Sequence, residues 1–292
     1  MVAPASYGDA ARGGFVLTPM PSIYGTVELQ QRWRQGRDLE ISEEFMAAAH
    51  LHEALAAARP DSAYAYWKVS RNLWRHAERL PVDAKAERMA LFERADAWAT
   101  RGLDVDPDCA PCMLWKFGAM GRIATTRGVM QSLTMGREMR GLLERGIALE
   151  PTFADTPMNS TLGNLYYASA VFHRVVPEWT WLEWFFGVKG DLDRSLEMIR
   201  DAVDLAPDRI DYLVEYGAVL QCYGQRRDES WAGAEAARVL GRATRLEPHI
   251  GTDTIDQGHA RTLMADPSKA CGYSRDGWID TSRRAAAEAR KG

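Results

Sequence analysis

The residues of this chain whose types and spacing could do chemistry are few. Cys109-Ala110-Pro111-Cys112 has the two-residue gap of thioredoxin-type redox pairs, and a helix start would lower a thiol pKa there. Redox folds of that kind place the motif after a strand, and no strand pattern precedes it. The pair therefore reads as two small residues in the first turn of a helix, with redox sensitivity as the lesser alternative. Zinc would need two further ligands, and Cys222 and Cys271 stand far off and apart from each other. Four cysteines in 292 residues fit a reducing compartment and do not read as a disulfide framework. None of the six histidines forms a metal-spaced pair; His50 and His52, two apart, face different sides of a helix. No phosphate-cradling glycine loop, nucleophile elbow or two-histidine zinc motif occurs. The expectation is a non-enzymatic protein without cofactor or metal.

Two stretches carry binding chemistry instead. Pro177 to Gly190 is rich in tryptophan, with Trp181, Trp184 and Phe185 at i, i+3 and i+4 on one face of a short helix, and Trp179 and Phe186 directed elsewhere. It reads as a plug packed into the concave side of a helical stack. A competing reading makes Trp179, Trp181, Trp184 and Phe185 an apolar pocket for an acyl chain or a small apolar ligand. Insertion into a membrane is disfavoured by Glu178 and Glu183. Between Lys116 and Arg145 lie six cations (Lys116, Arg122, Arg127, Arg137, Arg140 and Arg145) against two acids, Glu138 and Glu144. With Arg122 and Arg127 facing the groove, such a face could hold an acidic peptide, a C-terminal carboxylate or a phosphate head group, although cations of this kind usually pair with acids on neighbouring helices.

The elements that position these residues read as helices. From Leu39 onward the apolar spacing is helical, with no sustained alternation of the strand kind, so the chain is all-α. Residues 1–38, rich in Gly, Pro and Ser, read as a flexible arm ahead of a helical domain over 39–292. Pro60, Pro107, Pro151, Pro207 and Pro248 punctuate the domain. Five residues before them stand Leu55, Gly102, Gly146, Ala202 and Ala243; twelve before stand Ala48, Ala95, Met139, Ser195 and Ala236. Positions at twelve, eight and five before each proline share a helical face, so most units present a stripe with small ends that lets another helix approach. Ten positions after the prolines, Ser70, Gly217 and Gly258 recur, with Gly118 and Gly163 one and two places later.

This phase resembles tetratricopeptide repeats, whose helix pairs set a small residue against large ones and close on an acid and a proline, as Val105-Asp106-Pro107, Leu149-Glu150-Pro151 and Leu246-Glu247-Pro248 do. The proline spacings of 47, 44, 56 and 41 exceed the ordinary repeat of about 34, so the repeats are divergent, about five antiparallel pairs forming an α-solenoid. From about Asp61 to Gln225 the order Trp115-Lys116-Phe117-Gly118-Ala119-Met120-Gly121, Gly146-Ile147-Ala148-Leu149-Glu150-Pro151, Leu162-Gly163-Asn164-Leu165-Tyr166-Tyr167 and Trp181-Leu182-Glu183-Trp184-Phe185-Phe186-Gly187 resembles the regulator of microtubule dynamics family. The resemblance implies a tetratricopeptide-like fold. It also implies association with microtubules or membrane contact sites, and for one member a held phospholipid.

With net charge −4 and pI near 5.9, nucleic acid is not an expected partner. The N-terminus has neither the basic start nor the apolar run of a secretion signal, and no segment reads as membrane-spanning, so the expected location is cytoplasmic. The expected function is a scaffold that receives a peptide or protein segment, an acidic one included, in its concave face. Tyr66, Trp67, Lys116, Arg122, Arg127, Asn164, Tyr167 and Tyr216 are the candidates to line it. The alternative is a carrier or sensor of a lipid or small apolar ligand held under the tryptophan insert.

Overall fold

A computed structural model describes residues 16–17, 26–127, 134–154, 159–249 and 251–275. Its helices are α1 (Val27–Ile41), α2 (Phe45–Ala58), α3 (Ala63–Arg79), α4 (Lys85–Val105), α5 (Ala110–Arg127), α6 (Gly136–Ala148), α7 (Thr161–Val175), α8 (Thr180–Phe186), α9 (Leu192–Leu205), α10 (Ile210–Arg227), α11 (Ser230–Ala243) and α12 (Asp253–Ala265), with a 3-10 helix at Pro267–Gly272. Among the described residues, extended pairing is confined to β1 (Val16–Leu17), parallel to β2 (Phe153–Ala154), and a bridge between Ala154 and Ser160.

Each proline of the repeat follows a helix end, and at Pro60, Pro107 and Pro207 the residue before it, driven out of the helical region, is the helix cap. Arg59, Asp106 and Ala206 take φ values of −136°, −135° and −143°, ending α2, α4 and α9. Glu150 goes further, to a φ of 45°. Helix starts are fixed by side chains that satisfy otherwise orphaned amides: Ser160 accepts from the Gly163 N–H and Asp191 from the Arg194 N–H.

Two helices follow each connection, and their packing repeats. α3 lies on α4, α5 on α6, α7 on α9 and α10 on α11, while α4, α6, α9 and α11 also pack on the first helix of the next pair. First helices touch in succession, α3 to α5, α5 to α7, α7 to α10 and α10 to α12. The architecture is all-helical and consistent with an α-solenoid. The stripe positions twelve, eight and five before each proline are buried in all five units, from Ala48, His52 and Leu55 to Ala236, Leu240 and Ala243. At Gly102 an added Cβ would sit 2.7 Å from Cys112 Sγ, and at Gly146 one would sit 3.0 Å from Leu165 Cδ2. Gly258 is different: nothing lies within 4 Å of such a Cβ, so no close helix approach explains it.

The start of the helical region differs from the expected boundary at residue 38, because α1 begins at Val27. Its sequence is polar enough to hide any apolar period. It is held instead by the Thr26 cap, a Glu28–Arg32 pair one turn apart, and Gly36, where a Cβ would come within 3.0 Å of His52 Nε2. Residues 280–290, whose sequence reads as a final polar helix, and Trp278, which reads as a cover for the end of the stack, lie outside the described residues. No described helix is long and apolar enough to cross a membrane.

Candidate functional site

The first helix of each pair carries charged side chains that the fold buries and pairs. Glu40, at the end of α1, receives Lys68 Nζ at 3.0 Å, Asn72 Nδ2 at 2.8 Å and the Arg71 guanidinium from α3, with His52 Nε2 of α2 at 3.2 Å. Burial by itself would raise the Glu40 carboxyl, but Arg71, Lys68 and His52 outweigh it and hold it well below the usual carboxylate range. Lys68 and Arg71 also lie over the Trp67 ring. One helix pair further on, Glu78 pairs with Arg122 and Arg88, and burial lowers the Arg122 guanidinium to about 10. Beyond these, Arg174 forks onto Glu215 at 2.6 and 3.0 Å, and Arg275 onto Asp256 at 2.7 Å to each oxygen.

Of the residues expected to line a concave binding face, the structure engages most within the chain. Trp67 is buried, and Tyr66 rests against Trp98 with its hydroxyl donating to the Pro60 carbonyl at 3.2 Å. Tyr167 stacks on Tyr212, whose hydroxyl donates to Asn164 Oδ1 at 2.9 Å; the Arg209 guanidinium donates to the same oxygen at 2.8 Å. Tyr216 is buried and accepts from Arg200 Nε at 3.3 Å. Most of the basic stretch is neutralised from other elements and from within α6, Arg137 being the one cation with no acid against it among the described residues. Lys116 meets Asp96 and Glu138, Arg127 meets Glu93, Arg145 meets Asp108 and Arg140 meets Glu144. Only Arg127 of the proposed groove residues is exposed, at the end of α5. The run of cations was legible; the acids that meet most of them come from elements up to 44 residues away in sequence, so the neutral outcome was not.

The tryptophan stretch departs from both of its expected roles. Trp181, Trp184 and Phe185 do share a face of α8, but it is the face turned to solvent: Trp184 is 84% exposed, Phe185 78%, Trp179 55% and Trp181 44%. Leu182, on the other side, is the buried anchor, and Val188 beyond the helix joins the core of α5, α6 and α7. These four aromatic residues therefore neither plug the stack nor enclose an apolar pocket. They form a ledge, with Trp179 stacked on Trp181 at 5.8 Å between ring centres. The ledge is held by Gly187, whose φ of 67° closes the helix in a left-handed cap, and where a side chain would run into Arg137. Glu178 fastens its root, accepting from Arg227 at 2.7 Å and from the Leu192 N–H at 3.2 Å.

The reading of the cysteines as unpaired thiols is corrected. Cys109 is bonded to Cys112, and Cys222 to Cys271, leaving no free cysteine. The second pair was hidden because α12 and the 3-10 helix double back across α10, bringing together residues 49 apart. The compartment inference drawn from thiol usage loses its support. No group of three or more metal-ligating side chains gathers among the described residues.

These features define a class: an all-helical stack of packed helix pairs whose inward charges pair with one another and whose most exposed aromatic surface, among the described residues, is a short helix between two long ones. Within that class the chain belongs to the family of Regulator of microtubule dynamics protein 1-3, whose sequence profile matches residues 33–245. No curated protein sequence matches it.

Proposed function

We propose that this chain is a non-catalytic interaction module built of tetratricopeptide-like helix pairs, and that its partner is a protein, docked on the α8 ledge. The observation that carries this reading is the exposure of Trp179, Trp181, Trp184 and Phe185 side by side. Clustered exposed aromatics are costly in water and are the side chains that dominate protein interfaces. The family's name supports a partner among microtubule proteins. A cytoplasmic site of action goes with a microtubule partner.

The test is co-sedimentation of the full chain with polymerised tubulin. Wild type is expected in the pellet and Trp184→Ala/Phe185→Ala in the supernatant, with Arg127→Glu behaving as wild type. Equal pelleting of wild type and the aromatic variant sinks the ledge as the docking site. Loss of binding in Arg127→Glu alone returns the site to the end of the first helices and points to an acidic partner. A wild type that stays in the supernatant removes polymerised tubulin as the partner.

A further inference from the structure

We propose that Cys109–Cys112 is an exchangeable disulfide, and that the cleft beside it receives a cysteine-bearing peptide segment of a protein partner. The bond joins residues only three apart. Closing so short a loop removes little freedom from the unfolded chain, which makes a purely structural role weak. Cys222–Cys271, with a separation of 49, is the disulfide that restrains the chain.

The two sulfurs are placed unequally. Cys109, though only 6% exposed, forms part of the wall of an open cleft of about 390 Å³, together with Tyr64, Trp67, Pro111, Leu149 and Pro151. Cys112 is absent from that wall and fully buried, packed towards Gly102, where even one added carbon would meet its sulfur. An incoming thiolate therefore has Cys109 Sγ as its target and Cys112 as the leaving group. The cleft offers aromatic, proline and leucine surface next to the reacting sulfur, which suits an extended peptide rather than a small hydrophilic thiol.

The local backbone favours the release of Cys109 in the second step of an exchange. This residue precedes the first turn of α5, and its sulfur accepts the Cys112 N–H at 3.2 Å. The same amide and the start of an 18-residue helix stabilise the Cys109 thiolate that is expelled when the mixed disulfide is resolved. Asp106 and Asp108 oppose this, but Arg145 lies 2.7 Å from Asp108.

In the exchange, a partner thiolate forms a bond to Cys109 Sγ, the Cys109–Cys112 bond breaks, and Cys112 departs with the electron pair as a thiolate. If the partner carries a second thiol, that group as thiolate attacks the partner sulfur of the mixed disulfide and expels Cys109. The partner dithiol is thereby oxidised by two electrons to a disulfide, and the protein's disulfide is reduced to two thiols that take up the two protons released. This site is separate from the α8 ledge, so its test and that of the proposed docking fail independently.

The experiment treats the oxidised full chain with dithiothreitol and, separately, with a synthetic peptide carrying two cysteines among apolar residues. Reactions are stopped with acid, alkylated and mapped by mass spectrometry. The expected result is that Cys109–Cys112 opens at least about tenfold faster than Cys222–Cys271, with the mixed disulfide on Cys109. Leu149→Asp, at the rim of the cleft, is expected to slow the peptide about tenfold and leave dithiothreitol unchanged. The proposal is overturned if the two disulfides open at the same rate, if the peptide is captured on Cys112, or if Leu149→Asp slows neither or both reagents alike. Because the first comparison uses the unmodified chain, it stands whether or not a variant folds.

Discussion

Removing the guanidinium of Arg174 is expected to cost far more than removing the whole pair it belongs to. Arg174 and Glu215 are both nearly inaccessible, and their two charge-assisted hydrogen bonds join α7 to α10. The remaining nitrogen of the fork, Nη1, donates to the carbonyls of Ala270 at 3.1 Å and Tyr273 at 2.9 Å. In Arg174→Met the Glu215 carboxylate is left buried without a counter-charge, which typically costs about 3–5 kcal/mol. The two carbonyls lose a donor at about 1 kcal/mol or more each. They cannot turn to water easily, because the Cys222–Cys271 bond ties their segment to α10. A total of about 5 kcal/mol is expected. In Arg174→Met/Glu215→Leu the uncompensated charge is gone, and the loss should fall to about 2 kcal/mol, mostly the carbonyls. Urea unfolding followed by far-ultraviolet circular dichroism, with slopes compared to detect departures from two-state behaviour, measures both. A loss below about 1 kcal/mol in the single variant, or a double variant no more stable than the single, would refute the argument that the pair matters through its burial.

Close packing of the repeat is tested at Gly217, where any side chain runs into Leu240 of α11. Gly217→Val should cost about 1–3 kcal/mol, and adding Leu240→Ala should restore part of it; no recovery would show that the small residue serves something other than helix approach. His259, buried and 2.8 Å from the Tyr273 hydroxyl, is lowered to about 4 by its burial and by Arg275. Its folded pKa lies below the unfolded value of about 6.5, so its stabilising contribution is present above that pH and is lost as pH falls towards 4. Between about pH 7.5 and about pH 5 the loss from this group is about 2 kcal/mol. His259→Gln should lose that much less than wild type over the same interval in urea midpoints; identical slopes would contradict the burial argument. On the ledge, Trp184→Ala/Phe185→Ala should change stability by no more than about 0.5 kcal/mol, since both rings already face water. A larger loss would mean they support the fold.

The elements were legible where physics is local. Proline disfavours the helical conformation at the residue before it, so helix ends near Pro60, Pro107, Pro151, Pro207 and Pro248 could be placed without coordinates. Small residues in register with those ends imply close neighbours, and Gly102, Gly146, Ala202 and Ala243 are buried as that register requires. α1 escaped notice because a helix can be stabilised by a cap, a one-turn ion pair and tertiary contact with almost no apolar period. At α8 the periodicity correctly grouped Trp181, Trp184 and Phe185, yet a face has no sign until something packs against one side of the helix. Leu182 took that side.

What the sequence determined by itself is the all-helical character, the places where helices stop and the membership of a family, all of which depend on neighbours within a few turns or on the order of whole segments. What only the tertiary structure decided is which charges survive as free binding groups, which aromatics reach water and which cysteines meet. Arg122 and Glu78, Arg174 and Glu215, and Cys222 and Cys271 lie more than forty residues apart. Whether such partners converge depends on the angles at which successive helix pairs stack, and those angles are a property of the assembled core rather than of any one stretch of chain.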